Sequence, residues 1–495
     1  MDINNEFLFA QRPVLRLLTE EQKRRIHEGS LELLERTGSD FHSQEAIHLL
    51  ESAGARVVDS KRVKIPSHIV EEAIRIAPKR VVLANRNAER VMPLWGDNIF
   101  YGPGSETPFT LDPYTGQRRL AVKSDVANAA RVVDGLSNIN FCMSFALASD
   151  VAKKCEDVHH FEAMVLNTAK PLLFTSWDLD GIKAIYDICC AAAGSAQAFE
   201  ANPFILHYVE PISPLVSPRD SLDKLIFSAQ RGIPVMYVPA PSAGGTAPVT
   251  LAGAFVLSNA ENLIGLVISQ AAKRGAHFVY GGGPSILDPA TGIFPYGAPE
   301  AIVSRAVRTE MAHYYGFPCF STGGCTDAKT LDQQAAFEAG MSLLLSSLAG
   351  ANLMHDVGYM ESGYTSSLDL LVMADEMINV IKRVLKGVTV SSEHLAVDLL
   401  DSVGPGGNFL ANSHTVKHFR EELYISKLFD RKSHTAWVAE GGKTFKDKGN
   451  EKLRDLLERH TPQRLPENVV EEIKGITAEL DGKRKKSYGL DSPRK

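Results

Sequence analysis

The feature that most constrains this chain is a regular alternation between residues 98 and 390. Short β-rich runs that end in Gly, Pro, Ser or Asp are each followed by a helical stretch. Eight such runs alternate with eight helices, which predicts parallel strands joined by helical crossovers. The predicted strands are Ile99–Tyr101, Asn140–Ala148, Leu172–Trp177, Phe204–Glu210, Val235–Val238, His277–Tyr280, Cys319–Thr322 and Leu353–Val357. The predicted helices are Asp125–Leu136, Glu156–Ala169, Gly181–Ala193, Ser221–Arg231, Leu251–Arg274, Pro299–Tyr315, Gln333–Leu348 and Leu368–Leu385.

Two α/β architectures satisfy this alternation, a closed (β/α)8 TIM barrel and an open doubly wound sheet. The count of eight favours the barrel, which typically takes about 250 residues. No Gly-x-Gly-x-x-Gly follows a strand into a helix, so the main positive signal for a dinucleotide-binding sheet is missing. We therefore predict an α/β fold with a TIM barrel over residues 98–390. An N-terminal α+β extension (1–97) precedes it, and a C-terminal helical segment with a basic tail (391–495) follows.

The two extensions carry local signals of their own. Thr19 followed by Gln22 predicts a capping box, Ser43 caps a second short helix, and Pro66 opens a third. Short strands are predicted at residues 56–58, 62–65 and 81–83. The basic run at residues 483–486 is interpreted as a solvated tail rather than as a nucleic-acid patch.

Composition limits the class of protein. The chain has 495 residues and a formal net charge of -6, which argues against a nucleic-acid binder. Six cysteines are too few and too scattered for a disulfide framework, which favours a reducing cytoplasm. No uninterrupted apolar stretch long enough for a membrane span and no signal peptide are recognised. We expect a cytoplasmic homo-oligomer with no membrane or nucleic-acid partner.

The ends of the predicted strands are rich in aromatic residues and poor in Lys and Arg. In TIM barrels the active site lies at the carboxyl ends of the strands. Aromatic faces with a nearby carboxylate such as Glu210 suit a quaternary ammonium. Tyr208 and Glu210 are two residues apart, so they point to the same side of a strand. The alternative is that the aromatics pack against the outer helices. The five aromatics are Tyr101, Trp177, Tyr208, Tyr280 and Tyr359.

Other motifs leave the chemistry open. The runs Gly281-Gly282-Gly283 and Gly323-Gly324 could bind phosphate through backbone N–H groups, or allow a planar cofactor to approach closely. No zinc motif and no nucleophile elbow occur, and the later strands carry no lysine for a Schiff base. The barrel has no evident acid, base or nucleophile of its own. This pattern indicates a reaction in which another molecule supplies the nucleophile, with no metal bound by the chain.

Several stretches resemble the trimethylamine methyltransferase family. The resemblance covers roughly residues 10–475. The stretches are Tyr101-Gly102-Pro103-Gly104-Ser105, Gly281-Gly282-Gly283-Pro284, Ser321-Thr322-Gly323-Gly324-Cys325-Thr326-Asp327-Ala328-Lys329, Asp332-Gln333-Gln334-Ala335 with Glu338, and Gly404-Pro405-Gly406-Gly407 with His414-Thr415.

The resemblance implies a barrel that moves a methyl group from an amine to the cobalt of a corrinoid (cobalamin) carried by a partner protein. Archaeal trimethylamine enzymes of the family carry pyrrolysine, and the matching position here is Gln333. The chain therefore resembles the non-pyrrolysine branch. Its characterised members use quaternary amines such as glycine betaine, proline betaine and carnitine.

This chemistry agrees with the absence of catalytic motifs. Cobalt(I) is a strong nucleophile and a quaternary ammonium leaves as a neutral amine, so no general acid is required. We expect a glycine betaine:corrinoid methyltransferase in which Gln333 or His355 donates a hydrogen bond to the substrate carboxylate. The expected substrate contacts are Tyr101, Trp177, Tyr208, Glu210, Gln333, His355 and Tyr359. The alternatives are another quaternary amine, a non-catalytic betaine-binding barrel, and an aldolase-like barrel that binds phosphate after strands 7 and 8.

Overall fold

The N-terminal extension is a small α+β unit that packs on the outside of the barrel. The computed structural model describes residues 13–488. Thr19 and Gln22 form the predicted capping box at the start of the first helix. The unit contains α1 (Glu20–Arg36), β1 (Ser39–Phe41), α2 (Gln44–Ser52), β2 (Arg56–Val57), β3 (Arg62–Lys64) and α3 (Ser67–Ile76).

A hairpin connects this unit to the barrel and closes one end of it. Strands β4 (Val81–Ala84) and β5 (Arg90–Leu94) pair antiparallel. Their side chains join the apolar cluster that fills the inside of the barrel. The hairpin therefore seals the floor of the barrel at the amino ends of its strands.

The predicted barrel is confirmed. Its strands are β6 (Phe100–Tyr101), β9 (Leu172–Phe174), β10 (Ile205–Val209), β12 (Val235–Tyr237), β14 (Phe278–Tyr280), β16 (Phe320–Thr322) and β17 (Leu353–His355), with residues 139–142 in the second position. All pairings are parallel. Single bridges at Tyr101–Ile139, Cys142–Leu172 and Tyr280–Cys319 close the ring.

The second barrel position is less regular than predicted. The sequence predicts a strand over Asn140–Ala148, but only residues 139–142 pair with their neighbours. The Asn140 side chain accepts a hydrogen bond from the Tyr101 N–H and so replaces a ladder contact. Phe145 then adopts a left-handed backbone conformation with φ of 62°. This turn ends the extended segment early.

The outer layer consists of the eight predicted helices, each within a few residues of its expected bounds. They are α4 (Lys123–Gly135), α5 (Glu156–Asn167), α6 (Leu179–Ala193), α8 (Arg219–Gln230), α9 (Leu251–Ala272), α10 (Pro299–Tyr314), α11 (Gln333–Ala349) and α12 (Leu368–Lys386). A short α7 (Ala196–Ala201) follows α6. Among the described residues, α9 is long and apolar enough to cross a membrane, but most of it is buried inside the protein. It is the core helix against which α1, α2 and α3 pack.

Short strands in the loops tie the barrel mouth together. One four-stranded sheet joins the loop after the first barrel strand to the loop after the last. Another strand pairs with β1, which fixes the N-terminal unit to the barrel. The strands are β7 (Phe109–Leu111), β8 (Arg118–Leu120), β11 (Val216–Ser217), β13 (Ser242–Ala243), β15 (Ser285–Ile286), β18 (Tyr359–Met360) and β19 (Thr365–Ser366), with a 3₁₀ turn at Glu361–Gly363.

The C-terminal segment is helical, and its last two helices pack back on the barrel. It contains α13 (Ser392–Leu395), α14 (Val397–Val403), α15 (Ser413–Glu422), α16 (His434–Ala439), α17 (Phe445–Arg459) and α18 (Glu467–Tyr488). Arg484 of α18 is buried and pairs with Asp157 and Asp178, both at 2.6 Å. The prediction of a solvated basic run is therefore wrong for Arg484, because its charge is neutralised by two carboxylates.

The two faces of each barrel strand pack in different cores. Leu206, Met236 and Leu353 point inward and pack with the floor hairpin. Residues at alternate positions point outward into the helical layer, as the period of two requires. This alternation decides which residues at the strand ends reach the mouth.

Candidate functional site

A cavity of about 110 Å³ lies at the mouth of the barrel, inside the carboxyl ends of the strands. Strand ends contribute Tyr208, Thr322 and His355 to its wall, and helix α10 contributes Arg305 and Arg308. Its size suits a molecule of a few heavy atoms and is well below that of pockets for drug-sized ligands, roughly 300–1,000 Å³. The position is the one at which TIM barrels perform chemistry.

A larger cavity of about 420 Å³ lies at the opposite end, near the amino ends of the strands. Val82, Pro203 and His277 are among its lining residues. Active sites of TIM barrels lie at the carboxyl ends of the strands, so the larger size of this cavity does not make it the active site. We therefore take the smaller cavity at the mouth as the candidate site.

One wall of the mouth is formed by Tyr208 and Glu210, as predicted from their spacing. The Tyr208 hydroxyl donates a hydrogen bond of 2.5 Å to the Glu210 carboxylate. Surrounding protein raises the pKa of the Tyr208 phenol well above its ordinary value, and the Glu210 charge adds to this. Burial also raises the pKa of Glu210, with a further contribution from Glu106 and an opposing one from the Tyr208 hydrogen bond. The pair presents an acidic, aromatic surface to the mouth.

Glu106 supplies a second carboxylate in the same region. It accepts hydrogen bonds from Thr175 at 2.8 Å and from Ser144 at 3.1 Å. His160 Nδ1 lies 3.4 Å from the same carboxylate. Burial works to raise the pKa of Glu106, but His160 and the hydroxyl donor outweigh it and hold the pKa at about 2. Glu106 is therefore ionised at neutral pH and contributes a fixed negative charge.

His355 lies on the opposite wall in a fixed orientation. Its ring stacks on Phe320 with centroids 4.0 Å apart. Nδ1 is 2.6 Å from the Asp356 carboxylate and Nε2 is 3.0 Å from the Thr322 hydroxyl. Both ring nitrogens thus have partners inside the protein. The ring can present its edge to a ligand only by exchanging one of these contacts.

Asp356 adopts a strained backbone conformation beside a required glycine. Its φ is 68°, a left-handed value that costs energy for a residue with a side chain. A Cβ added to Gly104 would lie 2.3 Å from the Asp356 carboxylate and 2.3 Å from the Tyr359 ring. The Gly104 of the Tyr-Gly-Pro-Gly-Ser stretch is therefore needed for the close approach of the first and last strand ends.

Tyr359 borders this region. Its hydroxyl donates to the Ser105 carbonyl at 2.7 Å, and its ring stacks with Phe145 at 5.9 Å. Tyr296, which lines the cavity, approaches the same ring edge-on at 6.4 Å. Burial raises the pKa of both phenols well above their ordinary value. They remain neutral and give this side of the mouth an aromatic character.

The structure brings four of the seven predicted substrate contacts to the mouth. Tyr208 and His355 line the cavity, Glu210 is bonded to Tyr208, and Tyr359 borders the cavity wall. The other three predictions are corrected by their positions. They concern Tyr101, Trp177 and Gln333.

Tyr101 points away from the mouth. It occupies an outward position of its strand and is buried in the helical layer, where its hydroxyl pairs with Ser347 at 2.9 Å. Tyr280 shows the same orientation and donates to Asn259 at 2.9 Å. The interpretation that the aromatics pack against the outer helices is correct for these two. The physical reason is the alternation of side chains along a strand.

Trp177 and Gln333 lie outside the cavity. The side chain of Trp177 is 47% exposed, and its indole N–H donates to Glu156 at 3.2 Å. Gln333 is the first residue of α11, directly after the capping Asp332, and its side chain is exposed. Neither residue lines the pocket that Tyr208 and His355 share.

The glycine runs allow close packing rather than anion binding. Gly282 has φ of 68°, and a Cβ there would lie 2.2 Å from the Pro239 carbonyl. A Cβ on Gly323 would lie 2.5 Å from Met354 Sδ. The Gly324 N–H is already bonded to the Ser342 hydroxyl at 3.0 Å. These residues therefore do not form the set of free backbone N–H groups that a phosphate site requires.

The strand ends are poor in Lys and Arg, as the sequence indicates, but the mouth of the barrel contains two arginines. Arg305 and Arg308 reach it from helix α10, not from a strand end, so inspection of the strand ends missed them. Their spacing of three residues places both on one face of the helix. The sequence did contain a signal for them, because a helix that follows a glycine run carries two arginines on its buried face. Within residues 13–488 no cluster of three or more His, Cys, Asp or Glu is placed to hold a metal ion.

Comparison with known proteins gives a consistent result along the chain. The family model described as trimethylamine methyltransferase (MTTB) matches residues 2–488. The trimethylamine methyltransferase MttB of Desulfitobacterium hafniense DCB-2 is 34% identical over 464 residues, covering 94% of this chain and 93% of the relative. The MttB of Methanosarcina thermophila is 31% identical, covering 93% and 96%.

A glycine betaine methyltransferase is also among the relatives. The enzyme of Desulfitobacterium hafniense Y51 is 28% identical over 469 residues, covering 94% of this chain and 97% of that one. The crystal structure of the Methanosarcina barkeri monomethylamine methyltransferase matches with a TM-score of 0.51 at 13% identity, covering 92% of this chain and 90% of that one. This structural match supports the fold.

Proposed function

Because the chain belongs to the trimethylamine methyltransferase family, we propose that it transfers a methyl group from glycine betaine to the cobalt(I) of a corrinoid protein. The products are dimethylglycine and the methyl-cobalt(III) form of that protein. The observation that carries the proposal is the acidic, aromatic wall of the mouth. There the Glu210 carboxylate is bonded only by Tyr208 among the described hydrogen bonds, and ionised Glu106 lies close by.

This wall has the chemistry that a quaternary ammonium needs. Such a cation cannot donate hydrogen bonds, so it is bound by charge and by aromatic faces. Tyr208 and Tyr359 supply the aromatic rings, and the two carboxylates supply the charge. No lysine or arginine forms an ion pair with Glu210 or Glu106 in the part of the chain that the structure describes. Glu106 has His160 as its partner, so the Glu210 carboxylate is the negative charge that is left for a ligand.

The proposed reaction needs no proton transfer. The bond between the methyl carbon and nitrogen breaks, and the nitrogen keeps its electron pair as a neutral tertiary amine. The partner's cobalt(I) supplies the electron pair for the new carbon–cobalt bond and becomes cobalt(III). The residues of this chain bind the cation, orient one methyl group toward the open mouth and exclude water, which lowers the barrier by positioning.

The experiment offers the purified protein a panel of amines together with a reduced corrinoid protein. Loss of the cobalt(I) absorbance and formation of dimethylglycine from glycine betaine are expected in equal amounts. The panel also contains proline betaine, carnitine and trimethylamine. Turnover of trimethylamine without turnover of any quaternary amine would contradict the proposal.

Two further results separate the alternatives. Binding of glycine betaine by calorimetry with no loss of cobalt(I) absorbance would identify a betaine-binding barrel instead. The variant Tyr101→Phe is a matched control, because Tyr101 lies on the outer face of the same barrel wall. It should retain full activity, which shows that the preparation and the assay are sound.

A further inference from the structure

We propose that Arg305 and Arg308 bind a carboxylate of the substrate, so that the enzyme selects quaternary amines that carry an acid group. This inference rests on the proposed function and specifies its substrate class. It concerns the part of the cavity wall that helix α10 contributes.

The first observation is that both arginines are buried without a counter-charge. Arg305 is 2% exposed and Arg308 is 8% exposed. Neither forms an ion pair with any carboxylate in residues 13–488, although the surface of the molecule has many such pairs. Burying a charged group is costly unless it is paired. A buried pair of like charges that lines a cavity is therefore incomplete without an anion.

The second observation is that each guanidinium has donors without acceptors. Arg305 donates through Nη2 to the Tyr296 carbonyl at 2.7 Å, but its Nη1 has no partner. Arg308 makes only a long contact of 3.5 Å from Nη1 to the Phe320 carbonyl, and its Nε has no partner. A guanidinium has five N–H donors in a fork that matches a carboxylate. The unpaired donors are the ones that such a ligand would fill.

The third observation is a glycine that keeps space for one of these side chains. A Cβ added to Gly283 would lie 2.7 Å from Arg308 Nε. Gly283 lines the same cavity as Arg308. The last glycine of the run therefore lets the guanidinium lie against the backbone at the cavity wall. Any larger residue would displace it.

The charges are arranged to match a small zwitterion. Both arginines and Tyr208, whose hydroxyl is bonded to Glu210, line the same cavity of about 110 Å³. In glycine betaine a single methylene separates the ammonium from the carboxylate, so both ends fit a short cavity. Trimethylamine and choline have no anionic end and would leave the buried arginines unpaired. This is the kind of mismatch by which binding sites reject a ligand.

The experiment measures the affinities of glycine betaine and choline, which share the trimethylammonium group and differ in the carboxylate. Calorimetry on the wild-type protein should give choline at least tenfold weaker binding. Arg308→Met and Arg305→Met should each weaken glycine betaine at least tenfold and leave choline unchanged within about twofold, because a hydrogen bond to a charged group is typically worth a tenfold factor or more. Arg219→Met, on the exposed end of α8, is the control.

Two additional variants protect the test from a folding defect. Arg308→Lys keeps the charge without the fork and should give an intermediate loss of affinity for glycine betaine. Gly283→Ala keeps both arginines but displaces one, and should reproduce the loss. All variants are first compared by thermal unfolding.

The outcomes separate this inference from the function on which it rests. Equal affinities for choline and glycine betaine, with no change in the folded arginine variants, would overturn the carboxylate site. Methyl transfer from both amines in the same preparation would still support the proposed function. Arginine-dependent binding of glycine betaine without any methyl transfer would support the site and contradict the function.

Discussion

The inner and outer faces of the barrel wall use the same residue type for different purposes. Tyr208 faces the mouth, and its hydroxyl is bonded to the carboxylate of Glu210, an exposed residue. Tyr101 and Tyr280 end other strands of the barrel but face the helices, where their hydroxyls pair with a serine and an asparagine. The inner tyrosine belongs to a charged binding surface and the outer two complete a neutral core. The orientation along the strand, not the residue type, decides which property a substitution will change.

The largest effect is expected on the outer face, at Glu261 of helix α9. This buried carboxyl accepts hydrogen bonds from Leu215 N–H and from the Ser213 hydroxyl, both at 2.8 Å. Burial nevertheless raises its pKa from 4.5 to about 7. The folded protein therefore binds a proton more tightly than the unfolded chain does. The contribution of Glu261 to the stability of the wild type should fall as the pH rises from about 4.5 to about 7, and should then level off.

Glu261→Gln should remove this pH dependence. The amide can keep both contacts, because its oxygen can accept from Leu215 N–H and its nitrogen can donate to Ser213. At pH above 7 we expect the variant to be more stable than the wild type by about 3 kcal/mol, from roughly 1.4 kcal/mol per pKa unit. Urea unfolding at several pH values measures the difference. A constant difference at all pH values would contradict the assignment, and activity should be unaffected at any of them.

The next effect is expected on the inner face, at Glu210. Glu210→Gln keeps the shape and one acceptor but removes the charge, so it should weaken glycine betaine binding about tenfold, or about 1.4 kcal/mol. The measurement is calorimetry at several pH values, because burial raises the pKa of the Glu210 carboxyl and only the ionised form carries the charge that the variant lacks. Thermal unfolding should change little. A folded variant with unaltered affinity would leave Glu210 with only an orienting role toward Tyr208.

A smaller effect should distinguish the two faces directly. Tyr101→Phe removes the hydrogen bond to Ser347 and should cost about 1 kcal/mol of stability without a change in kcat/KM. Tyr208→Phe should change kcat/KM and leave the stability nearly unaltered. It removes the hydrogen bond to the Glu210 carboxylate at the mouth but leaves no buried group unpaired in the core. Loss of activity in Tyr101→Phe at full stability would refute the comparison.

The smallest effect is expected at Trp177. Its ring is half exposed and held by Glu156, outside the cavity. Trp177→Ala should therefore change the affinity for glycine betaine by less than about twofold, whereas Tyr208→Ala should reduce it at least tenfold, as expected for a desolvated contact of about 2 kcal/mol. A tenfold loss in Trp177→Ala would extend the binding surface to the rim.

The barrel could be predicted from the sequence because its signals are local. Each strand is a short apolar run before a turn residue, and most of the helices begin at a capping side chain or beside a proline, so the eight helices lie close to their predicted bounds. The second strand was overestimated because the Asn140 side chain replaces a backbone contact, which is a tertiary effect. Tyr208 and Glu210 were found because they lie on one strand with the spacing of two.

The rest of the site depends on contacts between distant parts of the chain. Arg305 and Arg308 enter the mouth from a helix, and their role depends on the absence of a partner rather than on a motif. Glu106 is ionised because hydroxyl groups and a histidine from other segments surround it. For Phe100 and Tyr101, the sequence predicts only that they point to opposite faces of the strand. The structure shows that Phe100 is the inner residue and Tyr101 the outer one.

Under the proposed function, the hairpin that seals the floor of the barrel sets the order in which the reactants bind and leave. Its apolar side chains block passage along the barrel axis, so a molecule that enters at the mouth has to leave by the mouth. A corrinoid protein that receives the methyl group must cover that opening. The amine must therefore bind before the protein partner does, and dimethylglycine can leave only after the protein partner has dissociated. Steady-state kinetics should accordingly show a compulsory order, with the protein partner competing with dimethylglycine for access rather than for a shared binding surface.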